Sequence, residues 1–266
     1  MTLTVERDGP VTTLIRDRRG TRNAMDPESA EALNAALLAF DADPAQSVAI
    51  LWGAGGAFCA GFDLKYAASL VGRERPLAAH DFPAGNAPPP RGPMGPTRLR
   101  LSKPVIAAIA GPAVAGGMEL ALWCDLRVME ATAYMGVYCR RWGVPLVDGG
   151  TVRLPRIVGR GRALDIILTG RKVAAEECFQ IGLCERLVAN GESRAAAEAL
   201  AHEIARFPQG CMRADRSSVW LQEGLPEHEA LRAEWENSKG MIEREGTAGA
   251  ARFAAGRGRH GDFREI

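Results

Sequence analysis

A chain of 266 residues with a formal charge of +1, 47% hydrophobic and 24% charged residues, can bury a full core without disulfide staples. Its basic and acidic residues are interleaved, which gives no support for a nucleic-acid partner. The cysteines at 59, 124, 139, 178, 184 and 211 have no C-x-x-C or close Cys/His spacing, so free thiols are expected and a disulfide scaffold is not.

The N-terminal MTLTVERDGP lacks the basic and apolar pattern of a signal sequence. The longest apolar run, Val105 to Met118, is broken by Gly and Pro, so a soluble, cytoplasmic protein without a membrane partner is expected. Thr2 to Glu6 and Val11 to Arg16 read as a hairpin joined through Asp8-Gly9-Pro10, followed by a turn at Arg18-Arg19-Gly20. Asp26-Pro27-Glu28-Ser29 predicts a helix start, with Ala30, Leu33, Ala36, Leu37 and Phe40 on one face. Val48 to Trp52 predicts a strand.

From about Ala67 to Leu101 the chain is rich in Pro and charge, which predicts a mobile surface loop. Strand character returns at Val105 to Ala110, a helix follows from Gly116, and Leu126 to Met129 reads as another strand. This alternation predicts an α/β architecture. Past about residue 190 only helical signals remain: Ser193 to Ala205, Cys211 to Gln222, His228 to Lys239 and Glu243 to Ala255. The expected division is therefore an α/β core over 1–190 and a helical region over 191–266, whose apolar faces must pack on the core or on another subunit.

Two glycine turns follow strands. The first, GAGGAFCAGFDLK (53–65), does not complete G-x-G-x-x-G, which argues against dinucleotide binding. The second, Gly111 to Gly117, opens a helix whose free amides suit negative charge. Each turn can offer a backbone N–H, and a converging pair would make an oxyanion hole. The alternative is that both are merely tight connections.

FCAGFDLK (58–65) and KPVIAAIAGPAVAGGMELALWCDLRV (103–128) together resemble the paired signature of the crotonase superfamily, the enoyl-CoA hydratases and isomerases. RNAMD (22–26), GGTVRLPRIVGRGRALDIILTGRKVAAEEC (149–178) and IGLCERLV (181–188) extend the resemblance in the same order. It implies a spiral of ββα repeats with a C-terminal helical subdomain, assembling as homo-trimers or hexamers. It also implies an acyl-CoA thioester as substrate, with coenzyme A entering as part of that substrate and no separate cofactor. By motif position the oxyanion amides belong to Ala60 and Gly116. Ala60, Gly61, Phe62 and Asp63 are similar to the segment that contacts the CoA substrate, with Leu64, Gly116 and Cys139 as further substrate-binding candidates, while Arg22 and Lys65 read either as approaching CoA phosphates or as exposed surface.

Glu119 follows Gly116 by about one helical turn and stays on the same side. It could merely complement the positive helix end, but the resemblance gives it the place of the first catalytic glutamate, a general base for adding water to a 2-enoyl thioester. Counting back from Gly149-Gly150-Thr151, the second glutamate's place falls on Cys139, whose thiol, with an ordinary pKa of about 8.5, substitutes poorly for a carboxylic acid. Asp148 is the nearest acid. It reads either as the second acid or as a cap for the helix opening near Thr151.

Asp125 reads as a structural partner at a helix end, Met118 and Trp123 as core, and Arg140 and Arg141 as solvated. His80, His202, His228 and His260 have no mutual spacing that suggests a metal site. The expectation is hydration of a 2-enoyl-CoA. Enoyl-CoA isomerisation, or acyl-CoA binding with little turnover, are the alternatives.

Overall fold

The structure, a computed structural model, describes residues 2–85 and 87–258. Strands Thr2–Asp8 (β1) and Val11–Asp17 (β2) form the expected hairpin, with Asp8 opposite Val11. Asp26 caps helix Pro27–Ala42 (α1) by accepting the Ser29 N–H at 2.8 Å. Its apolar face buries Ala30, Leu33, Leu37 and Phe40.

That helix returns the chain to lay strand Val48–Gly53 (β3) parallel to β2. The short helix Leu64–Ala68 (α2) comes next. Strand Val105–Ile109 (β4), buried at every position, then adds parallel to β3. A continuous apolar run of this kind is what a strand covered on both faces requires.

Strand Pro112–Val114 (β5) leads into helix Gly116–Trp123 (α3), and strands Leu126–Glu130 (β6) and Tyr134–Gly136 (β7) follow. Helices Gly150–Val158 (α4) and Arg160–Thr169 (α5), strand Val173–Ala174 (β8), helix Ala175–Gln180 (α6) and strand Arg186–Val188 (β9) complete the α/β part. The larger sheet has the order β1-β2-β3-β4-β6-β9, and the smaller one β5-β7-β8. Among these described strands, β1–β2 and β7–β8 pair antiparallel and the other neighbours pair parallel.

The segment expected to be a mobile surface loop is a loop only in part. Gly92 and Gly95 exchange backbone hydrogen bonds at 3.1 and 2.9 Å, closing a tight turn that buries Met94, Pro96 and Thr97. Prolines stop the segment from forming regular structure, but they do not keep it out of the core.

Two compact units are distinguished, one ending at Ala201 and the other beginning at His202. The division falls inside helix Ser193–Ala205 (α7) rather than before it. The second unit contains helices Gln209–Leu221 (α8), Glu227–Met241 (α9) and Thr247–Ala254 (α10), the last two joined by a π-helical turn over Ile242–Gly246. From that turn Glu245 reaches the start of α8, where its carboxylate accepts the N–H groups of Gly210 and Cys211 at 3.0 and 2.8 Å. A carboxylate there satisfies donors that the helix itself leaves free.

All the cysteines are free, and only Cys211 is exposed. Among the described residues no helix is long and apolar enough to cross a membrane. His260 lies outside the described residues.

Candidate active site

The first glycine turn is braced from below. Buried Arg16 donates to the carbonyls of Phe58 and Asn23. The Asn23 amide donates to the carbonyls of Ala54 (2.8 Å) and Ala57 (2.6 Å). Arg22 and Asn23 both take left-handed backbone conformations, at φ 51° and 58°, which non-glycine residues adopt only when their surroundings hold them there.

This bracing decides which amide is free. The Ala60 N–H is donated to the Arg22 carbonyl at 3.0 Å, so Ala60 cannot be the oxyanion donor that motif position gave it. Met25 donates to the Gly61 carbonyl at 2.7 Å and accepts from the Asp63 N–H at 2.8 Å. In this parallel bridge the intervening Phe62 N–H points the other way, and it has no acceptor among the described residues. On this turn the free N–H is that of Phe62, not that of Ala60.

The second turn lies against the first. Cys59 and Ala113 form a bridge in which Cys59 donates to the Pro112 carbonyl and accepts from Val114, both at 3.0 Å. Ala115 is held at φ 54°, ψ −128° as it leads into α3, and the Gly116 N–H has no acceptor among the described residues. A Cβ on Gly61 would lie 3.0 Å from Gly116 N, and one on Gly117 would lie 2.1 Å from the Cys59 carbonyl oxygen. Glycine at 61 and 117 is what lets the two turns meet.

Glu119 is buried in the first turn of α3. Its Oε1 accepts the N–H groups of Asp148 (2.9 Å) and Gly150 (2.8 Å), and its Oε2 takes no hydrogen bond from the described residues. Burial pushes its carboxyl up to about 7 against the pull of those two donors, and the neighbouring Asp148 charge adds to the rise.

Asp148 is buried too, and burial raises its carboxyl against the lowering effect of the Thr97 hydroxyl. It is not a helix cap: α4 is capped by Gly149 without a side-chain bond, while Asp148 Oδ1 accepts from the Met94 N–H at 3.1 Å and from the Thr97 hydroxyl. Cys139 stays a thiol, raised by burial and then by the Glu119 charge.

Both carboxylates line a cavity of about 380 Å³, together with Ala60, Phe62, Leu64, Met94, Gly116 and Cys139. Leu77, Tyr138, Trp142, Val144 and Val147 extend its wall, which makes it a mostly apolar chamber with two acids beside the unspent Gly116 amide. That is the composition of a small-molecule site.

Other predicted residues lie elsewhere. The Asp63 carboxylate pairs with Arg18 at 3.1 Å and caps α2. Arg22 and Lys65 are exposed, and neither lines the cavity. Asp125 accepts the Val105 N–H at 2.8 Å, the structural role expected of it, and Met118 and Trp123 are buried core. Arg141 stacks on Tyr138, 4.1 Å from the ring centroid.

Sequence reasoning passed over Met94 and Thr97. Their contacts with Asp148 span more than fifty residues and left no local pattern.

The sequence matches the enoyl-CoA hydratase/isomerase family over residues 8–259. An enoyl-CoA hydratase of Mycobacterium tuberculosis is 35% identical over 235 residues, 86% of this chain and 84% of its own. A carnitinyl-CoA dehydratase of Salmonella arizonae is 38% identical over 204 residues, 76% of this chain and 74% of its own. Among solved structures, an enoyl-CoA hydratase from Mycobacterium marinum matches with a TM-score of 0.85 at 29% identity, covering 96% of each chain. One from Bacillus anthracis gives 0.85 at 30% identity over 97% of each chain.

Proposed function

The chain belongs to the enoyl-CoA hydratase/isomerase family, and from that premise we propose that it adds water across the double bond of a 2-enoyl-CoA. The observation that carries this reading is the meeting of Glu119, Asp148 and the unspent Gly116 amide at one cavity. The thioester oxygen sits against the amides of Phe62 and Gly116, donors worth about 2.7–4 kcal/mol each when charge develops on that oxygen.

In its working form the carboxyl pair carries one proton. With that proton on Asp148, Glu119 takes a proton from water through Oε2 as the water oxygen bonds to Cβ. The π electrons move to the thioester oxygen, giving an enolate. The enolate collapses as Asp148 delivers its proton to Cα, so the pair gains one proton, gives one and is left singly protonated.

Exposed Val219 on α8 and exposed Leu231 and Trp235 on α9 support an assembly role for the second unit, and a homo-trimer or hexamer in the cytoplasm is part of the proposal. Coenzyme A arrives with the substrate, and no other cofactor is assigned.

Purified protein mixed with a 2-enoyl-CoA tests the reading by product analysis. A 3-hydroxyacyl-CoA is expected. A 3-enoyl-CoA as sole product would transfer the assignment to isomerisation, and tight binding without any product would transfer it to thioester binding.

A further inference from the structure

Asp148 is gripped at every polar atom but one. Its N–H donates to Glu119 Oε1 at 2.9 Å, its carbonyl accepts from Arg153 Nη1 at 2.9 Å, and its Oδ1 accepts from the Met94 N–H and the Thr97 hydroxyl. The second Arg153 nitrogen, Nη2, donates to the Thr97 carbonyl at 2.7 Å. One guanidinium thus ties the Thr97 segment to the residue that segment holds.

Space around the carboxylate is matched to this arrangement. A Cβ on Gly92 would lie 2.3 Å from both Asp148 Oδ1 and Thr97 Oγ1, so a side chain there would displace the bond between them. The turn GPMGPT, 92–97, closed by the paired backbones of Gly92 and Gly95, is a cradle for one carboxylate oxygen. Among the described residues Oδ2 receives no hydrogen bond, and Asp148 lines the cavity.

We propose that Thr97 and Arg153 are positioning residues that hold Asp148 with Oδ2 turned to the reacting acyl group, so that Asp148 serves where position 139 offers only a thiol. The proposal rests on the reading of Asp148 as the second acid of the hydration. The physical ground is that a carboxylate acts as acid or base only within hydrogen-bond reach of the atom it protonates. A side chain free to change rotamer forfeits that reach unless its neighbours lock it. Two donors on Oδ1 and a cation on the carbonyl remove that freedom.

The test uses the full chain with Thr97→Val, Thr97→Ser, Arg153→Met, Arg153→Lys and Asp148→Asn. The readouts are kcat, KM and pH profile with a 2-enoyl-CoA, and binding of hexanoyl-CoA, which cannot be hydrated. Thr97→Val and Arg153→Met are expected to lower kcat about 10- to 100-fold, part of the roughly 10²- to 10⁴-fold that a positioned acid or base contributes. Hexanoyl-CoA binding should stay close to the parent value, which also confirms folding. Thr97→Ser and Arg153→Lys should recover most of the loss, and Thr97→Val should add little to Asp148→Asn, since both act through one group.

Parent kcat and pH profile in Thr97→Val and Arg153→Met, alongside collapse in Asp148→Asn, would overturn the cradle and leave the role of Asp148 standing. Parent turnover in Asp148→Asn would overturn both.

Discussion

Glu119 shows how one residue's surroundings set its chemistry. Fixed through Oε1 by two backbone donors and buried beside Asp148, its carboxyl is pushed up to about 7. The sign of the pH dependence follows. Above about 7 the pair has lost its last proton, and well below that it holds two, so kcat/KM should be bell-shaped with its alkaline limb near 7. A rate rising monotonically through this range would refute the shared proton. Glu119→Gln keeps the shape of the side chain but cannot titrate. It should lower kcat by roughly 10²- to 10⁴-fold with little change in acyl-CoA binding.

The placement of Glu119 beside Gly116 was legible in the sequence, because helical spacing alone puts them on one side. The fate of the Ala60 amide was not, since it depends on the carbonyl of Arg22, a residue distant in sequence. That the Asp148 side chain does not cap α4 was likewise hidden, because its partners are the distant residues Met94 and Thr97.

At the scale of elements, the two glycine turns are held at a separation that tolerates no added carbon. Gly117→Ala would place a methyl 2.1 Å from the Cys59 carbonyl oxygen and must force the turns apart. Overpacking of this kind costs about 1–3 kcal/mol, so thermal denaturation should show a lower midpoint and turnover should fall as the amides separate. An unchanged midpoint with parent kcat would mean that the turns carry no such constraint. Helix α1 and strands β1 to β4 were readable because each is long enough to express its period and its cap. β5, β7, β8 and β9 are too short to alternate visibly and are defined by their partners, as Cys59 pairing with Ala113 illustrates. In the Pro-rich segment the loop was legible, but the burial of Met94, Pro96 and Thr97 was not, because burial of a turn requires no regular structure.

Across the whole molecule, an α/β part built on two sheets supplies the cavity, and the described residues from His202 to 258 form a helical unit. Val219, Leu231 and Trp235 of that unit are exposed, large apolar groups of the kind that mark interfaces. The proposed assembly predicts a trimeric or hexameric mass by light scattering, with Trp235→Glu shifting it toward monomer. A monomeric parent protein would remove that part of the account. The broad architecture was legible from the alternation of strand and helix, whereas the division inside α7 was not, because a continuous helix carries no sequence signal of a boundary.

The central claim, hydration by a carboxyl pair sharing one proton, is tested most directly by following loss of the conjugated thioester absorbance against pH for the parent, Glu119→Gln and Asp148→Asn. The account predicts a 3-hydroxyacyl-CoA product, a bell-shaped parent profile falling above about 7, and collapse in both variants. Parent-like turnover in Glu119→Gln, or no conversion by the parent protein at any pH, would contradict it.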